Sequence, residues 1–228
     1  DVHQFELDVT DSTSVNAAVE HVLADAGSID IVVNNAGIEV YGPIHLLADD
    51  EVARQLDTNV TGVVRVVRAV VPAMLANGGG TIVNVGSVAG LVGTPYGGIY
   101  AASKHAVEAI SEALHFELSQ QGIRVRVVEP GQFSTQLGAN GLLAAAMTPD
   151  TAEFQRRERF HIAQRSLVNG EPAPAQQVAD VIYQAATEQP GTLRYPVGAD
   201  AELIIATKAA MSFEDFDTTM RATLNWYE

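Results

Sequence analysis

Short runs of β-branched apolar residues alternate along the chain with longer amphipathic segments. Residues 3–7 pattern as a strand that ends at Asp8, Val9, Thr10 and Asp11. Thr10, Asp11 or Ser12 suits the N-cap of a helix over about 13–26, whose Val15, Val19, Val22 and Leu23 share one stripe before Gly27 stops it. Residues 29–33, 81–85 and 123–128 are continuous Val/Ile-rich runs, as expected of strands buried on both faces of a parallel sheet. Between them the periodicity predicts a helix over about 49–76, kinked late by Pro72, and another over about 99–121 ended by Gly122. Residues 77–80 read as a turn and 86–98 as a glycine-rich loop. After Pro130 and Gly131 the pattern predicts a long loop over 132–170 with one or two short helices. A helix over 175–188, a strand over 193–197 and a mostly helical tail over 198–228 follow. Strands separated by helices of this length predict an α/β fold, a Rossmann-like doubly wound parallel sheet in one domain spanning 1–228.

Composition narrows the partners. With 47% hydrophobic and 18% charged residues, the 228-residue chain can bury a core, and wholesale disorder is excluded. Thirteen basic against 28 acidic residues give a net charge of −15, which disfavours nucleic acid and anionic membrane surfaces as partners. The absence of cysteine excludes disulfides and thiolate chemistry and fits a reducing, cytoplasmic setting. The longest apolar stretch, from Val60 to Val71, is broken by Arg65 and Arg68, so no membrane span is expected. The six histidines lack metal-ligand spacing, and no metal site is expected.

Tyr100 and Lys104 stand one helical turn apart on a shared face. Base chemistry near neutrality needs a phenol lowered by roughly 2–3 pKa units from about 10. One positive charge about 4 Å away, at an effective dielectric of about 20, supplies roughly the 4 kcal/mol required. Ser87 lies just beyond the strand at 81–85, Asn34 to Gly37 follow the strand at 29–33, and Pro130 and Gly131 follow the strand at 123–128. Open α/β sheets bind ligands at those strand ends.

These residues resemble the short-chain dehydrogenase/reductase family from about Asp8 to Val197. The N-N-A-G box is Asn34, Asn35, Ala36 and Gly37, and the serine Ser87 lies 13 positions before Tyr100. The Y-x-x-x-K box is Tyr100 to Lys104, the P-G-x-x-x-T box is Pro130 to Thr135, and a mid-helix N-V pair is Asn59 and Val60. The resemblance implies NAD or NADP as cofactor and hydride transfer to or from a secondary alcohol or ketone. It also implies roles. Tyr100 exchanges a proton with the substrate oxygen, Lys104 lowers the tyrosine pKa and holds the nicotinamide ribose, and Ser87 orients the substrate oxygen. Asn59 holds a water that relays protons from Lys104. Asp8 and Val9 contact the adenine, and Asn35, Ala36 and Gly37 lie along the adenosine ribose. Pro130, Gly131, Phe133 and Thr135 meet the nicotinamide end. The family's pairing of the helices at 49–76 and 99–121 implies a homodimer or homotetramer.

The family's opening T-G-x-x-x-G-x-G phosphate loop and first βαβ unit are not in this sequence, so about 50 further N-terminal residues are expected in the natural protein. Leu137, Leu142, Leu143 and Met147 suggest that 132–170 forms an apolar lid over a bulky, steroid- or retinoid-like small-molecule substrate. Two other functions fit less well: a ketoacyl-thioester reductase, and a catalytically silent dinucleotide-binding regulator on the same fold.

Overall fold

A computed structural model describes residues 2–135, 137, 141–167 and 173–226. Helix α1 (Ser12–Ala26) leads into β1 (Ile31–Asn34) and the two-residue strand β2 (Val40–Tyr41). Helix α2 (Asp49–Leu56) passes through one π-helical stretch, Asp57–Thr61, into α3 (Gly62–Ala76), then β3 (Gly80–Val85). The long α4 (Gly98–Leu118) precedes β4 (Ile123–Pro130), and β5 (Phe133–Ser134) and β6 (Leu142–Leu143) lead to α5 (Ala152–Leu167). The remaining elements are β7 (Ala173–Pro174), α6 (Gln176–Thr187), β8 (Arg194–Val197), α7 (Ala199–Ala210) and α8 (Phe213–Leu224).

The main sheet is parallel throughout, in the order β1-β3-β4-β8. Its two faces bury different clusters. Val15 of α1, Val63, Val67, Val70 and Met74 of α3, and Val107 of α4 pack on Ile82 and Val125. On the opposite face Ala185 and Ala186 of α6 pack on Val83, Val128 and Tyr195. Fully buried side chains of this kind each contribute roughly 1.5–3 kcal/mol. The flank at the edge strand β1 leaves Ile31 and Val33 exposed. The stretch from Asp49 to Ala76 is long and apolar enough to cross a membrane by composition. Here Val63, Val66, Val67, Val70 and Met74 face the protein core, and Arg65 pairs with Asp57 at 2.7 Å.

Local chemistry explains the boundaries. Asp11 is the N-cap of α1, accepting from Thr13 N at 2.8 Å, and Gly27 closes the helix with φ of +81°. Between α3 and β3 the chain turns at Gly79, whose φ is +133° and where a Cβ would come within 2.3 Å of Gly122 O. Only glycine fits there.

Two expectations need correction. Residues 3–7 form no strand; among the described residues no neighbour offers them a ladder, and an extended segment without one is not sheet. The segment 132–170, of which 136, 138–140 and 168–170 lie outside the described residues, contains one 16-residue helix, α5. Its few apolar residues, such as Phe154, Phe160 and Ile162, are scattered among polar ones and form no stripe to announce it. That segment is also tied down twice, by β5 pairing with β7 and β6 pairing with β2. As expected, the helical stretch from Asp49 reaches Ala76, with Pro72 inside α3.

A buried polar chain crosses the sheet beneath the strand ends. Asn34 Nδ2 donates to Asn84 Oδ1, and Asn84 Nδ2 donates to Ser111 Oγ, each at 2.8 Å. Asn84→Leu should strand the Asn34 amide and deprive Ser111 of a partner, lowering the unfolding free energy by about 2–4 kcal/mol. Urea denaturation checks this; an unchanged midpoint would contradict it.

Candidate active site

The carboxyl ends of β1, β3 and β4 converge on one edge of the sheet. Gly86 N donates to Val128 O at 2.7 Å, so the chain leaving β3 stays stitched to β4 as it reaches Ser87. Ser87 caps a short 3₁₀ turn, accepting from Ala89 N at 3.1 Å, and its hydroxyl reaches Pro130 O at 3.5 Å. The first turns of α4 bring Tyr100 and Lys104 to the same place, both buried. Leu137 packs on Ala89, Tyr100 and Ala101.

Lys104 Nζ donates to Val85 O at 2.8 Å and sits 5.6 Å from the Tyr100 ring centroid. Burial pulls the lysine down to about 8, with the Glu39 and Glu108 carboxylates working against the fall. Tyr100 does not show the lowered pKa expected from Lys104. Burial first, and then the Glu39 carboxylate, push its hydroxyl up, while a hydrogen bond with Ser87 pulls it back. The ammonium is committed to a backbone carbonyl.

Asn59 lies within the π-helical stretch, where the wider turn interrupts the regular helix. Its Nδ2 donates to Ile38 O at 2.9 Å and to Ser103 Oγ at 3.0 Å, and its Oδ1 accepts from Ile38 N at 2.9 Å. The amide therefore ties the loop after β1 to α4. Asn35 and Ala36 on that loop are exposed and Gly37 is half-buried.

Asp8 and Val9 lie across a cleft of about 470 Å³ that they line with Thr10, Ile38, Arg54, Asp57 and Thr58. Thr10 donates to Asp8 Oδ1 from its backbone at 2.8 Å and its hydroxyl at 2.7 Å, which holds the Asp8 carboxyl below its ordinary range. Arg65 Nη1 pins Val9 O at 3.1 Å. On the far side, Gly131 N donates to Val197 O at 2.9 Å and Gln132 N to Asp200 Oδ2 at 2.7 Å. Phe133 is half-buried and Thr135 exposed.

The residues singled out from sequence thus occupy one edge of the sheet, with Asp8 and Val9 at the end beyond β1. The matched family model, short chain dehydrogenase, covers residues 1–142. The chain belongs to the short-chain dehydrogenase family. An uncharacterized oxidoreductase of Bacillus subtilis, YusZ, is 35% identical over 228 residues, covering 98% of this chain and 80% of that protein. The 17-beta-hydroxysteroid dehydrogenase type 1 of Homo sapiens is 37% identical over 193 residues, 83% of this chain and 58% of the relative. A gluconate 5-dehydrogenase from Burkholderia cenocepacia, solved with NADP and tartrate, superposes with a TM-score of 0.68 at 26% identity. That match covers 86% of this chain and 74% of the other. As a member of this family the protein is an oxidoreductase.

Several groups at this site escaped sequence reasoning. Glu39 stands two positions after Gly37, and its Oε2 accepts from the Tyr41 hydroxyl at 2.8 Å. Glu108 and Glu129 share Arg194, whose Nε lies 3.1 Å and 3.2 Å from them. An acid within the apolar run just before Pro130 was the signal for Glu129, and an acid one turn after Lys104 the signal for Glu108.

The lysine pKa has a sign that can be checked. Between pH 8 and 10.5 the unfolded lysine keeps its proton while the native one gives it up, so stability rises with pH across that window. Relative to Lys104→Met, the wild-type protein should gain up to about 3 kcal/mol between those pH values. Urea midpoints measured across the window test it, and a constant difference would show that the lysine is not depressed.

Proposed function

We propose that the protein uses NAD or NADP to interconvert a secondary alcohol and its ketone, with a bulky, mostly apolar organic partner. The observation that carries this reading is the convergence of Ser87, Tyr100 and Lys104 at the carboxyl ends of β3 and β4. The cleft beside Asp8 and Val9 and the glycine-bearing exits at Gly37 and Gly131 suit a dinucleotide laid along that edge. When bound, the nicotinamide supplies the hydride chemistry.

The chain's own groups handle the proton and the orientation. Ser87 donates a hydrogen bond to the substrate oxygen. Tyr100, kept protonated at neutral pH by its burial, gives its proton to that oxygen in reduction and takes it back in oxidation. Lys104 holds the ribose hydroxyls and, with its pKa near 8, resupplies the tyrosine. Asn59 fixes the loop 35–38 so that Asn35, Ala36 and Gly37 lie along the adenosine ribose, and the proton relay runs past that tie. Asp8 and Val9 take the adenine, and Pro130, Gly131, Phe133 and Thr135 the nicotinamide side. The segment 132–170 acts as the lid. The similarity to one relative named a 17-beta-hydroxysteroid dehydrogenase supports the apolar substrate, as does the packing of Leu137 on Tyr100. The protein also pairs through α2, α3 and α4 as a dimer or tetramer, which would cover Val64 and the 78% exposed Phe116.

Tyr100→Phe should lower kcat on a good ketone by about 10²–10⁴-fold while leaving nucleotide affinity unchanged, and Lys104→Ala should weaken both. Steady-state kinetics with nucleotide titrations check this; near-wild-type turnover by Tyr100→Phe would overturn the mechanism. Phe116→Asp should reduce the molar mass in light scattering from that of a dimer or tetramer to that of a monomer. A monomeric wild-type protein would overturn the pairing.

A further inference from the structure

Two carboxylates act on Lys104, Glu39 and Glu108, but only Glu39 also acts on Tyr100. Its backbone is held on both sides: Glu39 O accepts from Leu142 N at 2.9 Å, and Val40 N donates to the buried Gln55 Oε1 at 2.7 Å. These ties aim the side chain at the start of α4. Oε1 lies 3.9 Å from the point a Cβ on Gly97 would occupy, three residues before Tyr100. Oε2 takes the Tyr41 hydroxyl.

Among the described residues no basic side chain forms an ion pair with Glu39. Of the two cations that act on Glu39, Lys104 acts more strongly but donates to Val85 O, and Arg157 stacks its guanidinium 4.9 Å above the Tyr41 ring and gives its Nη1 to Glu158 at 2.5 Å. The ring of His161 meets Tyr41 edge-on at 6.4 Å. An ionised carboxylate offers about four acceptor sites, and one phenol satisfies one of them. Burial raises the pKa of this half-buried carboxylate, and its field opposes ionisation of Tyr100. Leu137 and Ala89 pack on Tyr100. The surroundings of Tyr100 thus combine apolar side chains with the acceptor capacity of Glu39.

We propose that Glu39 is a specificity residue that accepts a hydrogen bond from a hydroxyl or ammonium group on the substrate close to the reacting carbon, so that hydroxy- and amino-ketones and their alcohols are preferred over plain ketones. This deepens the oxidoreductase reading and rests on it. A site built to receive a donor discriminates strongly against an analogue that lacks one, because the acceptor is left buried and unpaired.

The test uses three matched ketones, 1-phenylpropan-1-one and its 2-hydroxy and 2-amino derivatives, with the reduced nicotinamide nucleotides. For the wild-type protein the expected kcat/KM ratio of donor-bearing to plain ketone is about tenfold or more. Glu39→Gln, which keeps the shape and an acceptor but removes the charge, should lose the preference for the amine and keep part of that for the hydroxyl. Glu39→Ala should bring both ratios to about one, a change in ratio that a general loss of folded protein cannot produce. Ammonium-only discrimination identifies a cationic substrate, and discrimination for both identifies a hydroxyl-compatible one. Equal ratios in wild type and Glu39→Ala overturn this inference and leave the oxidoreductase reading standing. Turnover that survives Tyr100→Phe overturns that reading instead.

Discussion

The site depends on the parallel ladder between β3 and β4, paired in register from Gly80 with Ile123 to Val85 with Val128. Because the strands run the same way, both leave the sheet at one edge, and Ser87 and Pro130 emerge as neighbours. A shift of one residue would turn Ile82 and Val125 away from the cluster they share with α3 and α4. The same shift would move the Val85 carbonyl that receives Lys104. Core packing and active-site geometry are therefore fixed by one register, and the buried Asn34–Asn84–Ser111 chain ties the neighbouring β1 and α4 to β3.

Within that frame the electrostatics centre on a cation with little water. Lys104 is 7% exposed and has one backbone acceptor, so burial dominates its pKa. One turn further along α4, Glu108 joins Glu129 and Glu112 around Arg194. A single guanidinium cannot neutralise three carboxylates, and burial followed by the neighbouring Glu108 raises Glu129 to about 7. Negative charge below and Glu39 above explain why a lysine this buried retains a pKa near 8 and falls no further.

The sheet and the helices packed on it were legible because their apolar runs are long and their stops are chemical: Gly27, Gly122 and the strand-end boxes. The gathering of Ser87, Tyr100 and Lys104 was legible from spacing alone, since α/β topology carries strand ends to one place. What was not legible depends on tertiary partners. Residues 3–7 have strand-like alternation but no ladder, and α5 is packed at its middle, with Phe160 meeting Trp226 at 5.2 Å and Tyr96 at 5.7 Å. The raised Tyr100 pKa could not be read either. The Tyr100–Lys104 spacing was visible, but the burial that raises the phenol is tertiary, and the acid that adds to it, Glu39, arrives from the loop before β2, more than sixty positions earlier.

Glu39 in turn is held by a helix it does not belong to. Glu51, in the first turn of α2, accepts from Ala48 N at 2.8 Å through Oε2 and from Ala145 N at 2.7 Å through Oε1. One carboxylate thus caps α2 and anchors the segment that carries β6, which pairs with β2 beside Glu39. The same helix continues into the π-helical stretch that presents Asn59 to the loop after β1. The β2–β6 pair beside Glu39 and the loop after β1 are consequently both braced by the one helical stretch from Asp49 to Thr61. Helix caps at exposed positions contribute about 1 kcal/mol as stability. In this arrangement Glu51 does more than its cap contributes, because it sets the distance between β6 and α2 and hence where the Glu39 carboxylate points.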